Sequence, residues 1–116
     1  MLSKAGIEKI RDLIYNELGT GYFGDDGTQV SEADTDLGNV VSGTDASLDL
    51  SKFNKGILAE HTLVSSAGNT NILREFAIKT SDGTLLNRAV FPAIDKDATV
   101  ELNTSVQILF FQSEDI

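Results

Sequence analysis

The sequence predicts a mainly β protein: an antiparallel, jelly-roll-like β-sandwich preceded by one N-terminal α-helix. Three observations carry that prediction. Val100, Leu102, Thr104, Val106, Ile108 and Phe110 alternate with Glu101, Asn103, Ser105, Gln107 and Leu109, the longest period-two run in the chain. Asp82-Gly83 joins two strand-like runs, as in a tight hairpin. Helical spacing appears strongly only in the first eighteen residues, so the sheets must pack mainly on each other.

At 116 residues the chain is long enough for one modest core. A single domain over residues 1–116 is expected, with a helix at 1–18, a long loop at 19–42 and the sandwich at 43–116. Ser3 stands where a helix N-cap belongs, Leu2 and Ile7 occupy the positions of a hydrophobic staple, and Gly19 follows the last helical residue. Ile7, Ile10, Ile14 and Leu18, with Leu13 beside them, form the apolar face of a helix from Lys4 to Leu18.

From Gly19 to Ser42 glycine and aspartate dissolve any period. A connection of that length is normally functional or packed against something, and Tyr22, Phe23, Val30 and Leu37 are its apolar anchors. It is expected to lie across the sheet or a neighbouring subunit. Ala46, Leu48 and Leu50 then alternate as a short half-buried strand. Ile57, Ala59, His61 and Leu63 share one face of the next strand, and Ile72, Arg74, Phe76 and Ile78 one face of the one after. Thr84 to Phe91 is the partner strand of the Asp82-Gly83 hairpin. Pro92, which has no N–H to donate, is expected to end it, and Asp95-Lys96-Asp97 to form the next turn.

Composition excludes several chemistries. There is no cysteine, hence no disulfide, thiolate nucleophile or cysteine-ligated zinc. The single histidine, His61, leaves a multi-histidine metal centre or a hydrolase triad with one residue to stand on. A formal charge of −9 opposes binding to phosphate backbones, so no nucleic-acid partner is expected. No stretch approaches the roughly 18 apolar residues of a membrane helix, and no apolar leader precedes the first helix. The chain is expected to be soluble, made without export and without a membrane partner. Its excess of aspartate and scarcity of lysine fit either an ordinary acidic protein or one from a salt-loving organism.

Gly19-Thr20-Gly21, Asp34-Thr35-Asp36-Leu37-Gly38, the strand Ile72 to Ile78, Gly83 to Pro92 and the closing strand Thr99 to Phe110 follow one another in an order that resembles a family. It is that of small structural proteins of tailed viruses, described as tail-fibre, tail-collar or baseplate proteins. The resemblance covers nearly the whole chain, through motifs of glycine, threonine and aliphatic residues. It departs at Tyr22 to Gly27, where the family commonly has a threonine- and proline-containing loop. The resemblance implies a non-enzymatic virion component without cofactors. It would be a homo-oligomeric ring, collar or fibre-attachment part that contacts other virion proteins of the tail, baseplate or fibre. A capsid-vertex, turret or decoration position is an alternative within that class. A small carbohydrate- or receptor-binding β-sandwich, using Tyr22, Asp25 and Asp26, is the alternative outside it.

Tyr22, Phe23, Arg88 and Phe111 are the candidate interface residues. Arg74 and Arg88 fall on neighbouring strands with Glu75 and Glu101 as partners, either as cross-strand ion pairs or as grips on another subunit's carboxylate. Asp25, Asp26, Asp34 and Asp36, with Glu32, make the densest acidic cluster and are the metal candidates, though the loop lacks the alternating ligands and terminal glutamate of an EF-hand. Without them no metal is expected. His61 has no nucleophile or second acid at a spacing that ties to it, so no catalytic residue is assigned.

Overall fold

Ser3 opens the first helix in the computed structural model, which describes residues 1–110. Its Oγ accepts from the Gly6 N–H at 3.0 Å, and the helix α1 runs Lys4–Glu17. No left-handed glycine ends it. Leu18 is already extended (φ −67°, ψ 138°), and its N–H closes the last turn on the Ile14 carbonyl. The Ser81 N–H satisfies the Glu17 carbonyl from another part of the chain. Ile7 is buried and Ile14 and Tyr15 pack on the core, whereas Ile10 and Leu13 are exposed. The apolar stripe is thus narrower than the spacing suggested.

The chain passes from α1 directly into strand β1, Leu18–Gly24, so the segment expected to be loop begins with a strand in the middle of a sheet. The remaining strands are β2 (Ala46–Ser47), β3 (Asp49–Phe53), β4 (Gly56–Leu63), β5 (Asn71–Thr80), β6 (Leu85–Lys96) and β7 (Leu102–Leu109). They form a four-stranded sheet, β2-β1-β5-β6, and a three-stranded sheet, β3-β4-β7, with every pair antiparallel. The protein is an antiparallel β-sandwich with an N-terminal helix. The expected strand at residues 46–51 proves to be two, with Leu48 at the step from one sheet to the other.

The core lies between the sheets, built from Phe23, Ile57, Ala59, Leu63, Leu73, Phe76 and Ile78. On β4 the alternation holds as expected, with Ile57, Ala59, His61 and Leu63 inward. On β5 it does not. The register with β6 shifts between Leu73 and Glu75, where Arg74 faces the three residues 91–93. This bulge changes the parity of the strand: Leu73 (0 % exposed) points inward with Phe76 and Ile78, while Ile72 is exposed and Glu75 and Ala77 take the outer face.

Pro92 does not end β6. It sits in the bulge of an edge strand, where a missing N–H breaks no ladder bond. Gly83, at φ +87°, makes the expected hairpin turn. Lys96 belongs to β6 and is buried rather than part of a surface turn, which instead runs from Asp97 to Val100. No helix among the described residues is long and apolar enough to cross a membrane.

Candidate functional site

Glu75 is the residue around which the polar part of the molecule is organised. The bulge turns it to the outer face of the four-stranded sheet, and the segment from Asp25 to Asn39 folds over it. Glu75 is 0 % exposed. Its Oε1 accepts from the Gly38 N–H at 2.8 Å and from Arg88 Nε at 2.8 Å, and its Oε2 from the N–H groups of Asp26 (3.0 Å) and Asn39 (2.9 Å). Four donors saturate one carboxylate.

Arg88, opposite Ala77 on β6, completes this arrangement. Beyond Glu75, its Nη1 reaches Asp34 Oδ2 at 3.2 Å and its Nη2 donates to the Asp26 carbonyl at 3.1 Å. The Glu75 carboxylate beside it raises its pKa above the ordinary arginine value, against a smaller opposing effect of burial, so the charge is firmly held. The Arg88 side chain is only 4 % exposed. Of the two readings of this arginine, the fold realises the cross-strand pair, and the carboxylates it grips are those of its own chain. Arg74 lies in the bulge beside Gly27 and makes no ion pair among the described residues, and neither arginine meets Glu101.

The loop thus lies across the sheet, as its length required, and its acidic residues are distributed over it. Asp25 bonds Asn39 Nδ2 at 2.7 Å, Asp26 bonds the N–H and hydroxyl of Thr28, Asp34 meets Arg88, and Asp36 meets Lys79 at 2.7 Å. Glu32 is exposed. The Thr28 hydroxyl and N–H hold the Asp26 carboxyl below its ordinary range, and Lys79 does the same for Asp36. Four carboxylates thus have four separate uses, and among the described residues no group of three or more histidine, aspartate or glutamate side chains converges on a point that would hold a metal.

The other interface candidates separate. Tyr22 is half-buried on the outer face, with Lys79 Nζ 4.8 Å from its ring centre. Phe23 points the other way, is 2 % exposed, and packs against Phe76, Phe91 and His61. It is a core residue. Phe111 lies outside the described residues. Of the loop anchors, Leu37 is buried and Val30 is exposed.

His61 is buried, with Nε2 donating to the Thr44 carbonyl at 3.1 Å. That bond fixes the tautomer and leaves Nδ1 an acceptor without a hydrogen-bond partner among the described residues. Burial pushes its pKa below the ordinary 6.5, against the Thr44 carbonyl, the Gly21 backbone and the Asp45 charge, which pull it up. Its ring stands edge-on to Phe23 and Phe76.

Two structural residues escaped sequence reasoning. Lys96 is 1 % exposed, and its Nζ donates to Ser65 O, Asn69 Oδ1 and Asp97 O at 3.1, 2.8 and 2.9 Å. Thr44 is fully buried, and its Oγ1 accepts from the Phe23 N–H. The only available signal for either was a polar residue near the boundary of an apolar run.

Among the described residues one side of the sandwich is open. Between β6 and β7 lies an apolar cleft of about 400 Å³, floored by Phe23 and Phe76 and walled by Phe91 and Ile94 on one side and Leu102 and Val106 on the other. No protein-family model, curated protein or solved structure matches the chain.

Proposed function

We propose that this chain is a non-enzymatic structural protein of a tailed-virus particle. It forms a homo-oligomeric ring, collar or fibre-attachment part of the tail or baseplate, in contact with other virion proteins. The observation that carries this reading is the order of segments from Gly19-Thr20-Gly21 to the closing strand, which resembles such proteins over nearly the whole chain. Two features of the fold support it. The buried charged groups are engaged within the fold: Glu75 by four donors, Arg88 by Glu75 and Asp34, Lys96 by three oxygens. An uncovered apolar cleft is also what a subunit presents before assembly.

In this reading the particle is built by burial, each subunit completing its packing against the next. The carbohydrate-binding alternative finds less support, because Tyr22, Asp25 and Asp26 are engaged by Lys79, Asn39 and Thr28. Antibody-gold labelling of virus particles from the source culture tests the proposal. Gold at the tail is expected. Gold at capsid vertices would move the protein to a turret or decoration, and no label on intact or disrupted particles would overturn the virion reading.

A further inference from the structure

We propose that β7 is the edge through which two copies of this chain join, antiparallel β7 to β7 about a two-fold axis normal to the three-stranded sheet. The proposal deepens the reading of the chain as an assembly subunit and rests on it; a two-fold contact closes at two copies, so a ring is built from such dimers through a further surface.

The first ground is how the four sheet edges are built. Strand edges recruit other strands unless something blocks them. β2 is two residues long. β3 carries Asp49 and Lys52, and β6 carries Pro92, Asp95 and a bulge. β7 has none of these devices: eight residues, no charge, no proline, and an unbroken register with β4 from Leu63↔Leu102 to Gly56↔Leu109. In a chain of net charge −9, this uncharged strand is a place where two copies can approach with little local repulsion.

The second ground is the cleft beside that edge. The inward residues of β7, at positions 102, 104, 106 and 108, are only half-buried because the sandwich is open there, and Phe91 and Ile94 across the gap are half-buried too. A two-fold axis normal to the sheet keeps the inner faces of both copies on one side and turns their open sides toward each other. Strand pairing and apolar cover then come from the same contact, reciprocally.

The pattern of β7 suits its own reversal. With Ser105 opposite Ser105, Thr104 meets Val106 and Leu102 meets Ile108 on the inner face, while Asn103 meets Gln107 on the outer face. No like charges oppose, and the parity keeps apolar residues inside. The result is a six-stranded sheet in the order β3-β4-β7-β7-β4-β3.

Sedimentation of the full chain in about 0.15 M salt, where the distant negative charges are largely screened but directly opposed residues still interact, tests this. The expected species is a dimer. Ser105→Lys places two lysines face to face on the exposed outer surface and should weaken dimerisation about tenfold or more, with an unchanged circular dichroism spectrum. Ser51→Lys on the opposite edge should leave the dimer intact. A monomeric wild type, a dimer indifferent to Ser105→Lys, or equal loss from Ser51→Lys each overturns the proposal. So does a chain that stays monomeric and pairs β7 only with an extended segment of another virion protein. Gold on particles with a monomeric isolated chain removes the interface and keeps the function; a β7-dependent dimer with no label on any particle does the reverse.

Discussion

Arg88 Nε lies 2.8 Å from Glu75 Oε1 across the β5–β6 pair, and this ion pair fastens the long loop to the outer face of the sheet. Neither residue bonds the loop alone. Glu75 takes three of its backbone N–H groups, and Arg88 takes one of its carbonyls and the Asp34 carboxylate.

Arg88→Ala should therefore destabilise the folded chain itself, before any effect on assembly. Removing one partner of a buried pair costs about 3–5 kcal/mol, and the three backbone donors left on Glu75 place the expected loss at the lower end. The urea midpoint should fall and hydrogen exchange at residues 26–39 should quicken. An unchanged midpoint would show that the loop is held by something else.

Gly21→Ala tests how closely the sheets approach. A Cβ at this position would stand 2.6 Å from His61 Cδ2 and 2.9 Å from Phe76 Cζ, both on buried rings. Overpacking of this kind costs about 1–3 kcal/mol, read as a lower melting temperature. Gly43→Ala, by contrast, meets no atom within 4 Å and should lose stability only through its backbone at φ +81°.

Acid should weaken the fold in two stages. Burial holds the His61 pKa below its ordinary 6.5, so the unfolded chain binds the extra proton first. The stability this contributes is present above pH 6.5 and is lost as pH falls from there toward the lower folded value. His61→Leu should flatten the melting temperature over that window; an equal slope in both proteins would count against the assignment. Asp12, Asp26, Asp36, Asp82 and Asp97 all have pKa values lowered from 3.8 by partners in the fold, so their contribution is present above that pH and disappears in stronger acid.

Lys96→Met keeps the buried stem and removes the three bonds of Nζ. Leaving Ser65 O, Asn69 Oδ1 and Asp97 O without that donor should cost about 1–3 kcal/mol. Proteolysis between residues 64 and 70 should become faster. A variant as resistant as the wild type would mean that the loop is held by its own turns.

Calcium should leave the melting temperature of chelator-treated protein unchanged. Asp25, Asp26, Asp34 and Asp36 are each turned toward a different partner, and drawing them together on one ion would break the bonds that hold the loop. A calcium-dependent rise would require the loop to rearrange.

What could be read from the sequence was what neighbouring residues decide among themselves. The Ser3 cap, the hairpin at Asp82-Gly83, the inward face of β4 and the alternation of β7 are local matters, set by side-chain period and backbone φ, and so is the sandwich class that follows from them. Tertiary structure decided the rest, because it depends on pairings distant in sequence. Leu18 reads as the end of the helix and Gly19 to Gly24 as loop, yet this segment is held extended by β5 on one side and by β2 and Val40 on the other. Pro92 reads as a stop, yet an edge position tolerates it. The bulge opposite Arg74 is marked on β6 by Pro92 but has no mark on β5, and by reversing the parity of β5 it sends Leu73 into the core and Glu75 outward. Glu75 becomes a buried clamp only because the loop's N–H groups arrive from far along the chain, and no spacing between neighbours encodes that meeting.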